Sequence, residues 1–165
     1  MTAQHIFCVS FVLTVISLGG FYALFNPKPS MTVFKRVGSR EDAQKIWNAW
    51  EAEGQTKALR NLAFDWLFIL IYSTMWISGA MYLGPLVDAK LRVPAMLFAG
   101  IGLAGALCDI IENACLWIML HGNDSETAPQ ICKRVMPINV GLFFTAAVYF
   151  LIAAIVSCLG HPPSS

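Results

Sequence analysis

The sequence predicts an all-α fold, an integral membrane four-helix bundle, on the basis of two observations. The first is composition: 57% of the 165 residues are hydrophobic, 13% are charged, and the mean hydropathy is +0.62. A soluble domain of this size would carry roughly a quarter charged residues. The second is the presence of four apolar stretches, each long enough for the roughly 20 residues that a helix needs to cross a bilayer.

These stretches fall within a chain short enough to form a single membrane domain, residues 1–165. The predicted spans are residues 6–25, 62–84, 95–120 and 131–158. Short connections make neighbouring spans antiparallel, as in a helical bundle. No Lys or Arg precedes the first span, which favours a retained transmembrane helix over a cleaved signal peptide.

Glycine and proline mark the predicted ends of the spans. Gly84 and Pro85 close the second span, and the segment from Pro85 to Val93 is predicted to form a turn. Pro94 then stands at the start of the third helix, where its missing N–H has no consequence. The first half of this third helix is rich in small residues, which let neighbouring backbones approach closely.

The polar segment 26–61 contains a helix of a different kind. Ser39 and Asp42 have the spacing of a capping box, with Asp42 in place of the usual Glu. Apolar residues then recur at i, i+3, i+4 and i+7, which predicts a short amphipathic helix at about residues 40–53, ending near Gly54.

Two tryptophans, Trp47 and Trp50, lie on the apolar face of this helix, with Lys and Arg residues nearby. Such a helix is typical of the membrane–water interface, where Trp rings act as anchors. We therefore predict an interfacial helix between the first and second spans, with Trp47 and Trp50 as its anchors. Docking of this face on a partner protein is the alternative.

Basic residues are distributed unevenly between the two sides of the predicted bundle. Seven Lys or Arg residues lie in the segment 26–61, and Lys133 and Arg134 follow the third span on the same side, which makes nine. The opposite side carries two, Lys90 and Arg92. Because cytoplasmic loops carry an excess of Lys and Arg, we predict that the segment 26–61 is cytoplasmic and that both termini are outside.

The third span carries three polar residues, Asp109, Glu112 and Asn113, in an otherwise apolar run. The spacing i, i+3, i+4 puts all three on one helical face. Ionisable groups inside a membrane are unfavourable and usually face protein or a water-filled cavity. Two such acids cannot both ionise in a low dielectric unless a cation compensates them.

Polar groups of the second and fourth spans are predicted to join this face. Asp65 and Tyr72 share one face of the second span, and Tyr72 is placed to hydrogen-bond a carboxyl group at the level of Asp109. Asn139 lies near the start of the fourth span. The predicted ligand- or ion-binding residues are Asp109, Glu112, Asn113, Asp65, Tyr72 and Asn139, with Trp76 and Trp117 as apolar walls. For Asp65, Asn113 and Asn139, interhelical cross-linking or a shallow position is the alternative.

The run Phe64-Asp65-Trp66-Leu67-Phe68-Ile69, together with Asp109-Ile110-Ile111-Glu112-Asn113, resembles a group of small, uncharacterised bacterial membrane proteins with four spans. The resemblance covers the second and third spans. It implies that Asp65 belongs with the polar residues of the third span, and that the protein resides in a bacterial inner membrane. It implies no activity, cofactor or substrate.

Three classes of function are compatible with this pattern. The one we favour is a bundle that binds a small molecule, a lipid, or a cation or proton at its intramembrane carboxylates. The second is an accessory or assembly subunit that pairs with another membrane protein or with a second copy. The third is a metal-dependent lipid-modifying enzyme, which we favour least because the apolar spans contain no His and no hydrolase motif.

Other features exclude further classes of partner and site. The net charge of +1 gives no basis for binding nucleic acid. The five cysteines show no paired spacing that would predict a disulfide framework, and Cys132 with His121 is too little for a zinc site. Cys8 and Cys158, near the outer ends of the first and last spans, are the one pair that could form a disulfide.

Overall fold

The computed structural model describes residues 2–24, 26–86, 89–121 and 125–160, without the side chains of residues 21–24, 86, 89–93 and 157–160. This part of the chain forms six helices and no strand, at α1 (Ala3–Leu24), α2 (Met31–Lys35), α3 (Arg40–Ala49), α4 (Ala52–Leu86), α5 (Ala89–Leu120) and α6 (Thr127–Gly160). In the described ranges α1, α4, α5 and α6 are long and apolar enough to span a membrane. The predicted all-α membrane bundle is therefore confirmed.

All four spanning helices begin earlier than the apolar runs predict, and α1 differs least, since it begins at Ala3 rather than at residue 6. α4 begins at Ala52 rather than at residue 62, α5 at Ala89 rather than at 95, and α6 at Thr127 rather than at 131. Hydropathy marks only the part of a helix that suits hydrocarbon, whereas backbone hydrogen bonding continues through polar residues. In the first turns of α4, Lys57 forms an ion pair with Glu53 (2.6 Å), which supports this extension.

Pro85 and Pro94 both lie inside helices, which corrects the predicted turn from Pro85 to Val93. Pro85 belongs to the last turn of α4, and Pro94 to the second turn of α5 instead of its first position. In the second turn of α5, Pro94 removes the one backbone hydrogen bond that an N–H at this position would donate. Between α4 and α5 lie only residues 87 and 88, which are outside the described residues.

The four spanning helices pack in chain order. α1 lies on α4, α4 on α5, and α5 on α6, whereas α1 and α6 make little direct backbone contact. One apolar cluster joins the start of α4, the end of α5 and the start of α6 with residues of α2 and α3. We call this side of the bundle the loop end. A second apolar cluster fills the rest of the bundle and reaches the opposite end, where the Phe7 ring of α1 lies 6.0 Å from the Tyr82 ring of α4.

The segment between α1 and α4 folds back over the loop end as a cap, which consists of α2, α3 and Trp50. Phe34 and Trp50 are almost completely buried, with ring centroids 5.0 Å apart. The Trp50 indole N–H donates to the carbonyl oxygen of Pro29 (2.7 Å). Apolar side chains of the segment are thus buried against the bundle itself.

This burial corrects the prediction that Trp50 is a membrane-interface anchor. Trp50 is 1% exposed, so its ring contacts protein and cannot reach lipid. Trp47 keeps a partly exposed ring, packed edge-on against Trp50 at 6.1 Å. The apolar face of α3 thus packs against the bundle and not against lipid. Ala43 is buried there, and Ile46 and Trp47 are partly buried.

The start of α3 agrees with the prediction from the sequence, but its end does not. The Ser39 hydroxyl accepts a hydrogen bond from the Asp42 N–H (3.2 Å) and donates to the Asp42 carboxylate (2.9 Å). The predicted cap is therefore present. α3 ends at Ala49, however, and Gly54 lies within α4, where its Cα approaches the Trp50 side chain closely.

The closest approach of α4 and α5 depends on Gly102. A Cβ atom at this position would stand 2.5 Å from the Trp76 ring, which is 1% exposed. Trp76 cannot retreat, because Phe150 stacks on it at 5.3 Å and Phe143 meets it edge-on at 5.6 Å. The small residue at 102 therefore sets the distance between the two helices.

We predict that Gly102→Ala destabilises the bundle by about 1–3 kcal/mol, the usual effect of overpacking. The matched control is Gly100→Ala on the same helix, where an added Cβ meets nothing within 4 Å. Thermal unfolding of both variants in detergent measures the difference. Equal midpoints for the two variants would show that the contact at Gly102 is not limiting.

Candidate functional site

A cavity of about 310 Å³ lies inside the bundle near the loop end, between α1, α2, α4, α5 and α6. Four ionisable side chains and one carboxamide line it, namely Lys35, Asp65, Asp109, Glu112 and Asn139. The remaining lining is mainly apolar and aromatic. The acids of α4 and α5 therefore face a cavity and are not enclosed on all sides by packed side chains.

Asp109 is held by two hydrogen bonds from two different helices. The Tyr72 hydroxyl of α4 donates to Oδ2 (3.0 Å), and the Asn139 carboxamide of α6 donates to Oδ1 (2.8 Å). The contact predicted between Tyr72 and the level of Asp109 is thus present. Since each carboxylate oxygen accepts one bond, Asp109 joins α4, α5 and α6 at one point.

Glu112 and Asp65 share a cation, Lys35, which comes from α2 of the cap. The Lys35 ammonium lies 2.6 Å from Glu112 Oε1 and 3.6 Å from Asp65 Oδ2. The side chains of Glu112 and Asp65 are 2% and 9% exposed, and that of Lys35 is 16% exposed. This is a largely buried ion-pair network, in which loss of one partner leaves uncompensated charge.

The local structure of α2 explains how Lys35 reaches the acids. Ser30 caps the helix by accepting a hydrogen bond from the Val33 N–H (3.4 Å), and the fully buried Phe34 ring fixes α2 against the bundle. Lys35 therefore leaves an anchored backbone. Burial alone lowers the pKa of Lys35, but the negative charges of Asp65 and Glu112 raise it by more, so that the pKa lies above its ordinary value and the ammonium stays charged.

Several buried oxygen and nitrogen atoms near the cavity have no hydrogen-bond partner among the described residues. They include Glu112 Oε2, and both polar atoms of the Asn113 carboxamide. Asp65 Oδ2 also accepts no hydrogen bond there, although Lys35 is its nearest cation. Buried polar groups are normally satisfied. Glu112 and Asp65, which both line the cavity, therefore each carry one acceptor that the described residues leave without a hydrogen bond.

The structure brings together most of the predicted site residues. Asp65, Asp109, Glu112 and Asn139 line the cavity, and Tyr72 stands behind Asp109. Asn113 is completely buried but does not line the cavity.

The two predicted wall residues behave differently. Trp76 lines an apolar groove next to the cavity. The prediction for Trp117 is wrong, because its ring is 54% exposed on the outside of the bundle and stacks on His121.

Lys35 is the functional residue that the sequence did not single out. A compensating cation was expected near the acids, but the segment 26–61 offers seven basic residues. One usable signal lies in the run Ser30-Met31-Thr32-Val33-Phe34-Lys35, in which a capping serine precedes a short apolar turn. A lysine at the end of such a buried turn is placed close to the bundle.

The described residues contain no group of three or more His, Cys, Asp or Glu side chains that could hold a metal ion. The predicted pair of Cys8 and Cys158 involves a side chain outside the described residues. Cys8 itself is exposed on α1.

No protein-family model, curated protein or solved structure matches the chain. The function proposed below therefore rests on the geometry of the cavity.

We predict that Lys35→Met strongly destabilises the protein, by about 3–5 kcal/mol, because Glu112 and Asp65 then share buried negative charge without a cation. The control is Lys45→Met, which removes a lysine from an exposed ion pair with Glu41 (2.8 Å) and should have little effect. The thermal midpoint in detergent is the measurement. Adding Glu112→Gln to Lys35→Met should restore part of the loss, and an additive double variant would argue against direct pairing.

Proposed function

We propose that this integral membrane protein is an intramembrane binding protein, which holds a positively charged or protonated group of a small molecule or lipid at Asp65, Asp109 and Glu112. The observation that carries the proposal is that all three carboxylates line one cavity, with Lys35 as the one cation among its described lining residues. The volume of about 310 Å³ lies at the lower end of the range of ligand sites.

The charge of the cavity favours a cationic occupant. Three ionised carboxylates against one lysine would leave two negative charges without a counter-charge. Burial in a low dielectric disfavours such an excess, so the site gains free energy by taking up a cation or protons. A ligand with an ammonium group supplies both the charge and hydrogen-bond donors.

The three carboxylates differ in how many of their oxygens lack a hydrogen-bond donor. Both oxygens of Asp109 are occupied by Tyr72 and Asn139, so this residue sets the geometry of the site. Glu112 keeps one oxygen without a partner, and Asp65 accepts no hydrogen bond at Oδ2. The charged end of the ligand is therefore assigned to Glu112 and Asp65, with Asp109 as a positioning residue.

The same proposal includes a location, the bacterial inner membrane, with the loop end in the cytoplasm and both termini outside. The orientation is supported by the nine basic residues of the loop-end segments against two on the other side. The bacterial inner membrane is supported only by the resemblance to small bacterial membrane proteins with four spans. One of the nine, Lys35, also serves the cavity from this side.

This orientation predicts the behaviour of reporters fused to the C-terminus of the full chain in bacteria. Alkaline phosphatase, which becomes active only after export, should be active, and a green fluorescent protein at the same position should be dark. Measuring both fusions at equal expression makes each the control of the other. The reverse pattern would place the termini in the cytoplasm.

The binding proposal predicts that butylammonium, a small cationic probe, binds the purified protein in a neutral detergent. Glu112→Gln and Asp65→Asn should each weaken binding at least tenfold, or about 1.4 kcal/mol, because a carboxamide retains the shape but loses the charge. Glu53→Gln is the control, since this acid lies in an exposed ion pair. Calorimetry measures the affinity, and the elution volume of each variant reports folding. Equal affinities for all four proteins would exclude the carboxylates as the site.

A further inference from the structure

An apolar groove of about 350 Å³ lies between α1, α4 and α6. Its lining is almost entirely hydrophobic. It includes Phe11 and Val15 from α1, Trp76 from α4, and Phe150 and Leu151 from α6. The one hydroxyl in the lining, that of Thr14, donates to the Ser10 carbonyl of its own helix (2.8 Å). The groove therefore offers an environment for a hydrocarbon chain.

This groove and the acidic cavity are adjacent. Leu18, Phe143 and Phe144 line both of them. A molecule whose charged end lies at Glu112 would therefore extend an apolar tail past the side chains of these three residues. The combined site has one polar end and one apolar end, which is the shape of an amphiphile.

The open side of the groove is the gap between α1 and α6. The two helices make little direct backbone contact, and the residues at the rim are exposed, including Val15 at 54% and Leu151 at 60%. In a membrane this gap faces lipid. The loop end, by contrast, is covered by the cap, with Phe34 and Trp50 buried beneath it. Access from the bilayer is therefore more open than access from the aqueous side.

We propose that the ligand is a single-chain amphiphile with a cationic head group, which enters from the bilayer between α1 and α6. The head group pairs with Glu112 and Asp65, and the chain lies in the groove. This inference rests on the binding function proposed above and adds the class of ligand and its route. An anionic head group is disfavoured by the excess of carboxylates, and the groove is too small for a whole transmembrane helix, which is about 10 Å wide.

The test compares amphiphiles of equal chain length on the full protein in a neutral detergent, with native mass spectrometry as the readout. Dodecylammonium should bind at least tenfold more tightly than dodecyl phosphate. Val15→Trp, which narrows the groove from its rim, should weaken dodecylammonium binding at least tenfold and leave butylammonium binding unchanged. Ile16→Trp is the matched control, because Ile16 is 62% exposed and does not line the groove.

Leu151→Trp on the opposite wall repeats the test should Val15→Trp fail to fold. Equal dodecylammonium affinities in the Val15, Leu151 and Ile16 variants would show that the alkyl chain of the ligand does not lie in the groove. The proposed carboxylate site would still stand if Glu112→Gln weakens butylammonium binding. Loss of a dimer in Val15→Trp would instead identify the groove as a contact between two copies. If neither amine responds to Glu112→Gln, both proposals fail.

Discussion

The structure depends on the ion pair between Lys35 and Glu112. Asp65 and Glu112 lie inside a bundle that spans a membrane, and each carboxylate there needs a counter-charge or a proton. Lys35 supplies the counter-charge from a segment outside the spans, at 2.6 Å from Glu112. Its position in turn requires α2 to be fixed, which the buried rings of Phe34 and Trp50 achieve. The cap and the cavity are therefore one structure, since loosening the cap removes the cation from the acids.

Two kinds of contact determine which helices pair in this bundle, namely close backbone approach and interhelical hydrogen bonds. In a membrane, apolar side chains gain little by leaving lipid for one another, so these two contacts decide the pairing. Gly102 provides the close approach of α4 and α5 beside Trp76, and Asp109 provides hydrogen bonds to α4 and α6. α1 takes part in neither arrangement. This leaves it on the side of α4 and leaves a gap toward α6.

The fold and most of the polar residues of the site could be predicted from the sequence, because they follow from periodicity and hydropathy. Helical spacing placed Asp65 and Tyr72 on one face, and the antiparallel arrangement of the spans brought Tyr72 to the level of Asp109. The role of Lys35 was not accessible, because it depends on a tertiary contact of a polar segment. Trp50 shows the same limit, since an amphipathic pattern reveals that a face is buried but not whether lipid or protein covers it.

The chain positions of the charged groups also bear on the order in which the protein is made. A growing chain assembles from the amino terminus, so Lys35 and Asp65 reach the membrane before α5 does. Lys35 is therefore already present when Asp65 enters the membrane with α4, and also when Glu112 enters later with α5. Asp109 has no such early partner in α6, because Asn139 follows it in the chain. Of the two side chains that donate to Asp109 in the finished bundle, only Tyr72 is in the membrane before α6 enters.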